Sequence, residues 1–204
     1  MQGEVDMRAA TISLAHSLLA KSAAWGLAAA LLVPVNALAQ SESGRTYTNP
    51  QYGFETYFPD APQLREITYT TKEGNDVPAS QFYVERGANH YLVTIVNLSD
   101  GPAVDFDAFD HAVEQMRALG ELRAEVEVAY DPGIPGWQLS VMQPDGRLMR
   151  GSVYMYNHTL FMTQAITEPG DFDALRLEQS IVLLNPDGSL VDTGEGNTAV
   201  ERPQ

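Results

Sequence analysis

Apolar and polar residues alternate from Trp137 to Val141: Trp137, Leu139 and Val141 fall on one side, Gln138 and Ser140 on the other. That period of two predicts a strand. Pro144-Asp145-Gly146 supplies turn chemistry, because Pro presets φ and Gly tolerates a positive one. Arg147 to Tyr156 reads as a second strand, Asn157-His158 as a two-residue turn, and Thr159 to Thr167 as a third strand. Asn suits such a turn because it accepts the left-handed conformation. This meander closes locally and offers apolar faces to other elements.

The pattern upstream is again one of short strands. Phe54 to Phe58 ends at Pro59-Asp60-Ala61-Pro62. Arg65 to Thr71 and Val77 to Glu85 form a hairpin around Glu73-Gly74-Asn75-Asp76. His90 to Leu98 carries apolar side chains on both faces: Leu92, Val96 and Leu98 on one, Tyr91, Val93 and Ile95 on the other. Only a strand covered on both sides has that pattern. The expected fold class is therefore α+β, an antiparallel sheet covered by helices on both faces, an α/β/α sandwich.

Two helices are predicted. Asp105 is a natural N-cap, and Phe106, Phe109, Val113, Met116 and Leu119 form one stripe, closed by Gly120. Asp171-Phe172-Asp173-Ala174-Leu175 repeats that opening and starts the second helix, with Phe172, Leu175 and Gln179 directed inward. Shared capping rules account for the likeness without a duplicated site. Between the helices, Glu121 to Tyr130 reads as a strand with Leu122, Ala124, Val126 and Val128 on its apolar side. Its opposite row, Glu121, Arg123, Glu125 and Glu127, is charged, which places the strand at a sheet edge or on an open part of a face.

The N-terminal segment follows another logic. Arg8 and Lys21 precede a stretch, Ala23 to Val35, almost free of polar side chains, and Ala37-Leu38-Ala39 has small residues at both outer places. Residues 1–39 therefore read as an export signal cleaved before Gln40, with Met7 an alternative start to Met1. A retained membrane anchor needs about 20 apolar residues; this run is shorter, and Pro34 and Asn36 interrupt it. Residues 40–45 are expected to be a disordered leader, 46–186 a single domain, and 187–204 a disordered acidic tail. The expected location is periplasmic or secreted.

The chain has 12 Lys and Arg against 27 Asp and Glu, a net charge of −15 that loss of residues 1–39 leaves unchanged. Such a surface disfavours nucleic acid and anionic lipid. There is no cysteine, so disulfides, thiolate catalysis and cysteine-held zinc are excluded. The sequence has no P-loop, no Gly-x-Ser-x-Gly elbow and no His-Glu-x-x-His. Asp107, His111 and Glu114 share a helix face at spacings of four and three and could hold a divalent cation, but a solvated helix face opposite the Phe109–Met116 stripe is the expected reading. His90 and His158 stand alone beside turns. Tyr52, Phe54, Tyr57, Trp137, Tyr154, Tyr156 and Phe161 are expected mainly in the core, with some lining a groove, because Tyr154 and Tyr156 share a face with Arg150 and Ser152. No catalytic residue, cofactor site or metal site is expected.

The string Tyr47-x-Asn49-Pro50-x-Tyr52-Gly53-Phe54-x-x-x-Phe58-Pro59 resembles the opening of the PsbP-like fold. Leu160-Phe161-Met162 and Gln179-Ser180-Ile181 are similar to that family's late aromatic strand and closing helix. The resemblance implies an antiparallel sheet between helices, in proteins acting mainly as binding or assembly factors. Its members include extrinsic photosystem subunits, a nuclear-import accessory protein and many exported proteins. No functional residue of the family can be matched. A cystatin-like or nuclear-transport-factor-like α+β fold is the alternative. The expected function is that of an exported, non-enzymatic accessory protein that binds a protein partner or assists assembly at the cell envelope. A weak binder of divalent metal or small ligand is the alternative, and an enzyme of unrecognised type the second. Mass spectrometry of the native protein should give an N-terminus at Gln40; an intact segment 1–39 in the membrane fraction would contradict it.

Overall fold

A computed structural model describes residues 44–99, 103–131 and 133–192. The signal expected over 1–39, the first residues of the leader and most of the acidic tail lie outside the described residues. The elements in order are β1 (Arg45–Asn49), β2 (Phe54–Phe58), β3 (Gln63–Thr70), β4 (Asp76–Arg86), β5 (Asn89–Asn97), α1 (Phe106–Arg117), β6 (Glu121–Asp131), β7 (Ile134–Met142), β8 (Leu148–Tyr156), β9 (Thr159–Thr167), α2 (Phe172–Gln179) and β10 (Val182–Leu183). A single 3-10 turn, Pro50–Tyr52, joins β1 to β2. Seven strands pair antiparallel in the order β3-β4-β5-β9-β8-β7-β6, and β1-β2-β10 form a second, smaller sheet. No helix among the described residues is long and apolar enough to cross a membrane.

The predicted meander forms as β7, β8 and β9. Asn157 and His158 both adopt positive φ, 46° and 63°, the conformation of a tight two-residue hairpin. Strand β5 lies between β4 and β9. Its alternate residues enter two separate cores, as the period of a strand requires. Tyr91, Val93 and Ile95 join Phe82, Tyr154 and Phe161 in one core. Val96 joins Leu139, Val141, Val153 and Leu160 in the other, where α1 contributes Phe109, Ala112, Val113 and Met116. Asp105 caps α1 as predicted: its Oδ1 accepts from the N–H groups of Asp107 and Ala108 at 3.0 and 3.1 Å.

The two cores are not closed alike. Beside α2, the first core contains Phe54, Phe58 and Leu183 from the small sheet. The architecture is mixed α+β, with two antiparallel sheets, rather than one sheet between two helical layers. Aromatic packing explains the second sheet: Phe54 and Tyr52 each set a ring 5.0 Å from Phe82, and Tyr47 lies 5.7 Å from it. The N-terminal hairpin thus buries its rings on the large sheet while its backbone pairs with β10.

Arg45 pairs with Phe58, and the Val191 N–H donates to Leu183 O at 3.0 Å, with Val191 buried. Two further expectations are corrected. Helix α2 is rotated from the expected face: Ala174, Leu177 and Glu178 are buried and Phe172 is 67% exposed. Its N-cap and first-turn carboxylates tie it to other elements in that rotation, since Asp171 accepts from Tyr91 and Asn89, and Asp173 accepts from Tyr57. Strand β6 is an edge, as its charged row implied, but a bulge between Leu122 and Ala124 breaks its apolar row: Leu122 pairs with Val141 and Val126 with Gln138, so the two lie on opposite faces, 40% and 53% exposed.

Phe82 is 2% exposed and touches rings from three other aromatics. Phe82→Ala should cost about 3–5 kcal/mol in denaturant unfolding. A loss under about 1 kcal/mol, the range of a volume-conserving swap, would show that the small sheet does not rest on this ring.

Candidate functional site

A concavity of about 460 Å³ opens on the side of the large sheet that faces the small one. Its floor is one cross-strand row. Glu66 of β3 pairs with Ser80 of β4, Ser80 with Ile95 of β5, and Ile95 with Phe161 of β9. Asn97 and Thr159, also paired, continue it one pleat further. Tyr156 and Asn157, at the β8–β9 turn, close one end. The wall is the 3-10 turn, Pro50 to Gly53, and the segment after β10, Leu184 to Pro186.

The wall is fixed by its own hydrogen bonds. The Asn49 side chain accepts from the Tyr52 N–H at 3.3 Å, and the Gly53 N–H donates to Pro50 O at 3.2 Å. Gly53 has φ 75°, where a side chain would be strained. The Leu184 N–H then donates to Gly53 O at 2.9 Å, joining the two halves of the wall. Of the aromatic residues singled out in the sequence, Tyr52, Tyr156 and Phe161 line the groove; Phe54 and Tyr154 are core. The floor residues Glu66, Ser80 and Asn97 were not recognisable beforehand. They come from separate strands, and only the pairing register brings them into line.

Among the described residues, the groove's single charged side chain is Glu66, which accepts from Ser80 Oγ at 3.0 Å. Groups with shifted ionisation lie elsewhere. Burial pushes the Tyr69 hydroxyl up to about 12, and burial followed by the Asp171 contact raises Tyr91. Glu178 is 3% exposed. Arg150 grips its Oε2 through Nε at 2.8 Å and Nη2 at 2.6 Å. Burial nevertheless pushes its carboxyl above the ordinary 4.5, against the pull of Arg150.

The acidic helix residues do not converge. Asp107 pairs with Lys72 at 2.5 Å. His111 Nε2 lies 3.2 Å from Thr70 O and 3.0 Å from the Gln115 amide. Glu114 is bound by Arg117. No group of three or more metal-ligating side chains forms a candidate cluster among the described residues. His90 Nδ1 lies 3.8 Å from Glu85. The His158 backbone ties down the chain around it, accepting from the Leu98 N–H at 2.7 Å and donating to Ala103 O at 2.9 Å.

No protein-family model and no curated protein matches the chain. Among solved structures, the chain is similar to cyanobacterial PsbP from Synechocystis sp. PCC 6803. Identity is 16%, the match covers 74% of this chain and 98% of that one, and the TM-score is 0.47. A Pseudomonas aeruginosa protein of unknown function is also similar, at 17% identity over 63% of this chain and 85% of that one, with a TM-score of 0.32. The resemblance to PsbP-like proteins is one of structure.

The shift of Glu178 carries a pH dependence. A carboxyl with a raised folded-state pKa binds its proton more tightly when folded, so its contribution to stability is full below the unfolded value and is lost as pH rises through the folded one. Stability should therefore fall across the window just above 4.5. Glu178→Gln should flatten that window in a series of denaturant melts. An unchanged slope would show that the carboxyl ionises as it does in water.

Proposed function

We propose that the chain is an exported, non-enzymatic binding protein whose ligand lies in the groove between the small sheet and the β3-β4-β5-β9 floor. The observation that carries this reading is the lining: aromatic rings, amides and hydroxyls with one carboxylate, in a concavity of about 460 Å³. That volume falls within the range of about 300–1,000 Å³ typical of ligand sites. An acid–base catalyst needs a titratable group tuned to its task within the pocket; Tyr69, Tyr91 and Glu178, which are shifted, do not line this groove. Export rests on the pattern of residues 1–39.

A protein partner along β6 is the second reading. It is favoured by Leu122 and Val126, exposed on a strand that forms the sheet edge. Such an edge can accept another strand.

The mature chain, immobilised, separates the two against the exported fraction of the source cells. Asn97→Ala with Glu66→Ala alters two exposed groove residues, and Val126→Lys alters the edge. A component retained by wild type and Val126→Lys but lost on the groove variant is the expected result. Loss on Val126→Lys alone would overturn the groove reading in favour of the edge.

A further inference from the structure

We infer that the groove takes a neutral oligosaccharide, a proposal that rests on the groove being the binding site. The first argument is charge. Among the described residues, no Lys, Arg or His lines the groove, and Glu66 does. With a chain charge of −15, an anionic ligand such as a phosphate or uronic acid meets repulsion and no counter-charge.

The second argument is the backbone. Peptides held in a sheet groove usually add a strand to a free edge, drawing their affinity from main-chain hydrogen bonds. Strands β4, β5 and β9, which form most of the floor, are each paired on both sides. Their N–H and C=O groups are already used, so over these strands side chains carry the polar recognition; β3, which brings Glu66, is the floor strand with a free edge.

The third argument is what those side chains offer. The amides of Gln51, Asn97 and Asn157 are exposed at the groove. Each amide presents two N–H donors and an acceptor oxygen, the complement of neighbouring hydroxyls that both donate and accept. The Glu66 carboxylate can accept a further hydroxyl in a charge-assisted bond. The partly buried rings of Tyr52 and Tyr156 stand among these groups. Tyrosine combines an apolar ring with a polar hydroxyl. A sugar has the matching form: apolar C–H faces edged by hydroxyls.

The test is an amide-resonance titration of the isotope-labelled mature chain with cellohexaose, maltohexaose and the hexamer of N-acetylglucosamine. Oligogalacturonate and a proline-rich decapeptide serve as the anionic and peptide probes. The expected result is saturable shifts of the Asn97 and Asn157 side-chain amides with at least one neutral hexasaccharide and none with oligogalacturonate. Asn97→Ala with Glu66→Ala should weaken that binding by about tenfold or more, as loss of two hydrogen bonds in a site implies. Groove shifts with the decapeptide alone would overturn the oligosaccharide proposal and leave the groove reading standing. Shifts confined to β6, or no shift with any probe, would overturn both.

Discussion

Strand β5 sends Tyr91, Val93 and Ile95 into one core and Val96 into the other, and the rest of the fold answers the need to keep both rows dry. Each fully buried aliphatic or aromatic side chain of this kind contributes about 1.5–3 kcal/mol through removal from water. A single covering layer would leave one of the two rows wet and forfeit its share. Helix α1 meets the need on one side with Phe109, Val113 and Met116. On the other side, α2 has only eight residues, and the small sheet with its aromatic residues supplies additional cover.

That unequal cover is what produces the groove. A layer made of a hairpin, a 3-10 turn and a two-residue strand ends abruptly, and the floor residues Glu66, Ser80 and Asn97 lie where it stops. The hydrogen bonds of Asn49, Gly53 and Leu184 hold the rim at that place. A rim fixed in this way orders little on binding, which reduces the entropic cost of taking a ligand.

Helix α2 is positioned by polar contacts as much as by apolar ones. Asp171, Asp173 and Glu178 each reach a partner on another element: Tyr91, Tyr57 and Arg150. A buried carboxylate paired with arginine is weak evidence for net stability. Its partner restricts how the helix can rotate, and here the outcome is that Phe172 faces outward.

The sequence by itself determined strands β2 to β9, most of their turns and the capping of both helices. These depend on local physics: the two-residue period, proline and glycine at turns, asparagine in the left-handed region, and aspartate before a helix. It also determined that β5 is covered twice, because apolar residues on both faces have no other solution in water. Only the tertiary structure decided the rest. Pairing of β2 with β10 joins segments distant in the chain, and nothing local in a two-residue strand announces its partner. The inward face of α2 could not be read because Glu178 is buried against Arg150, while the helical pattern of a charged residue points to solvent. Leu122 and Val126 are exposed on opposite faces of the edge strand β6, because a bulge between Leu122 and Ala124 interrupts the alternation, and nothing local in the sequence announces that bulge. The groove belongs to the same class: its floor is assembled from single residues on separate strands, and register, set by the whole sheet, decides which of them meet.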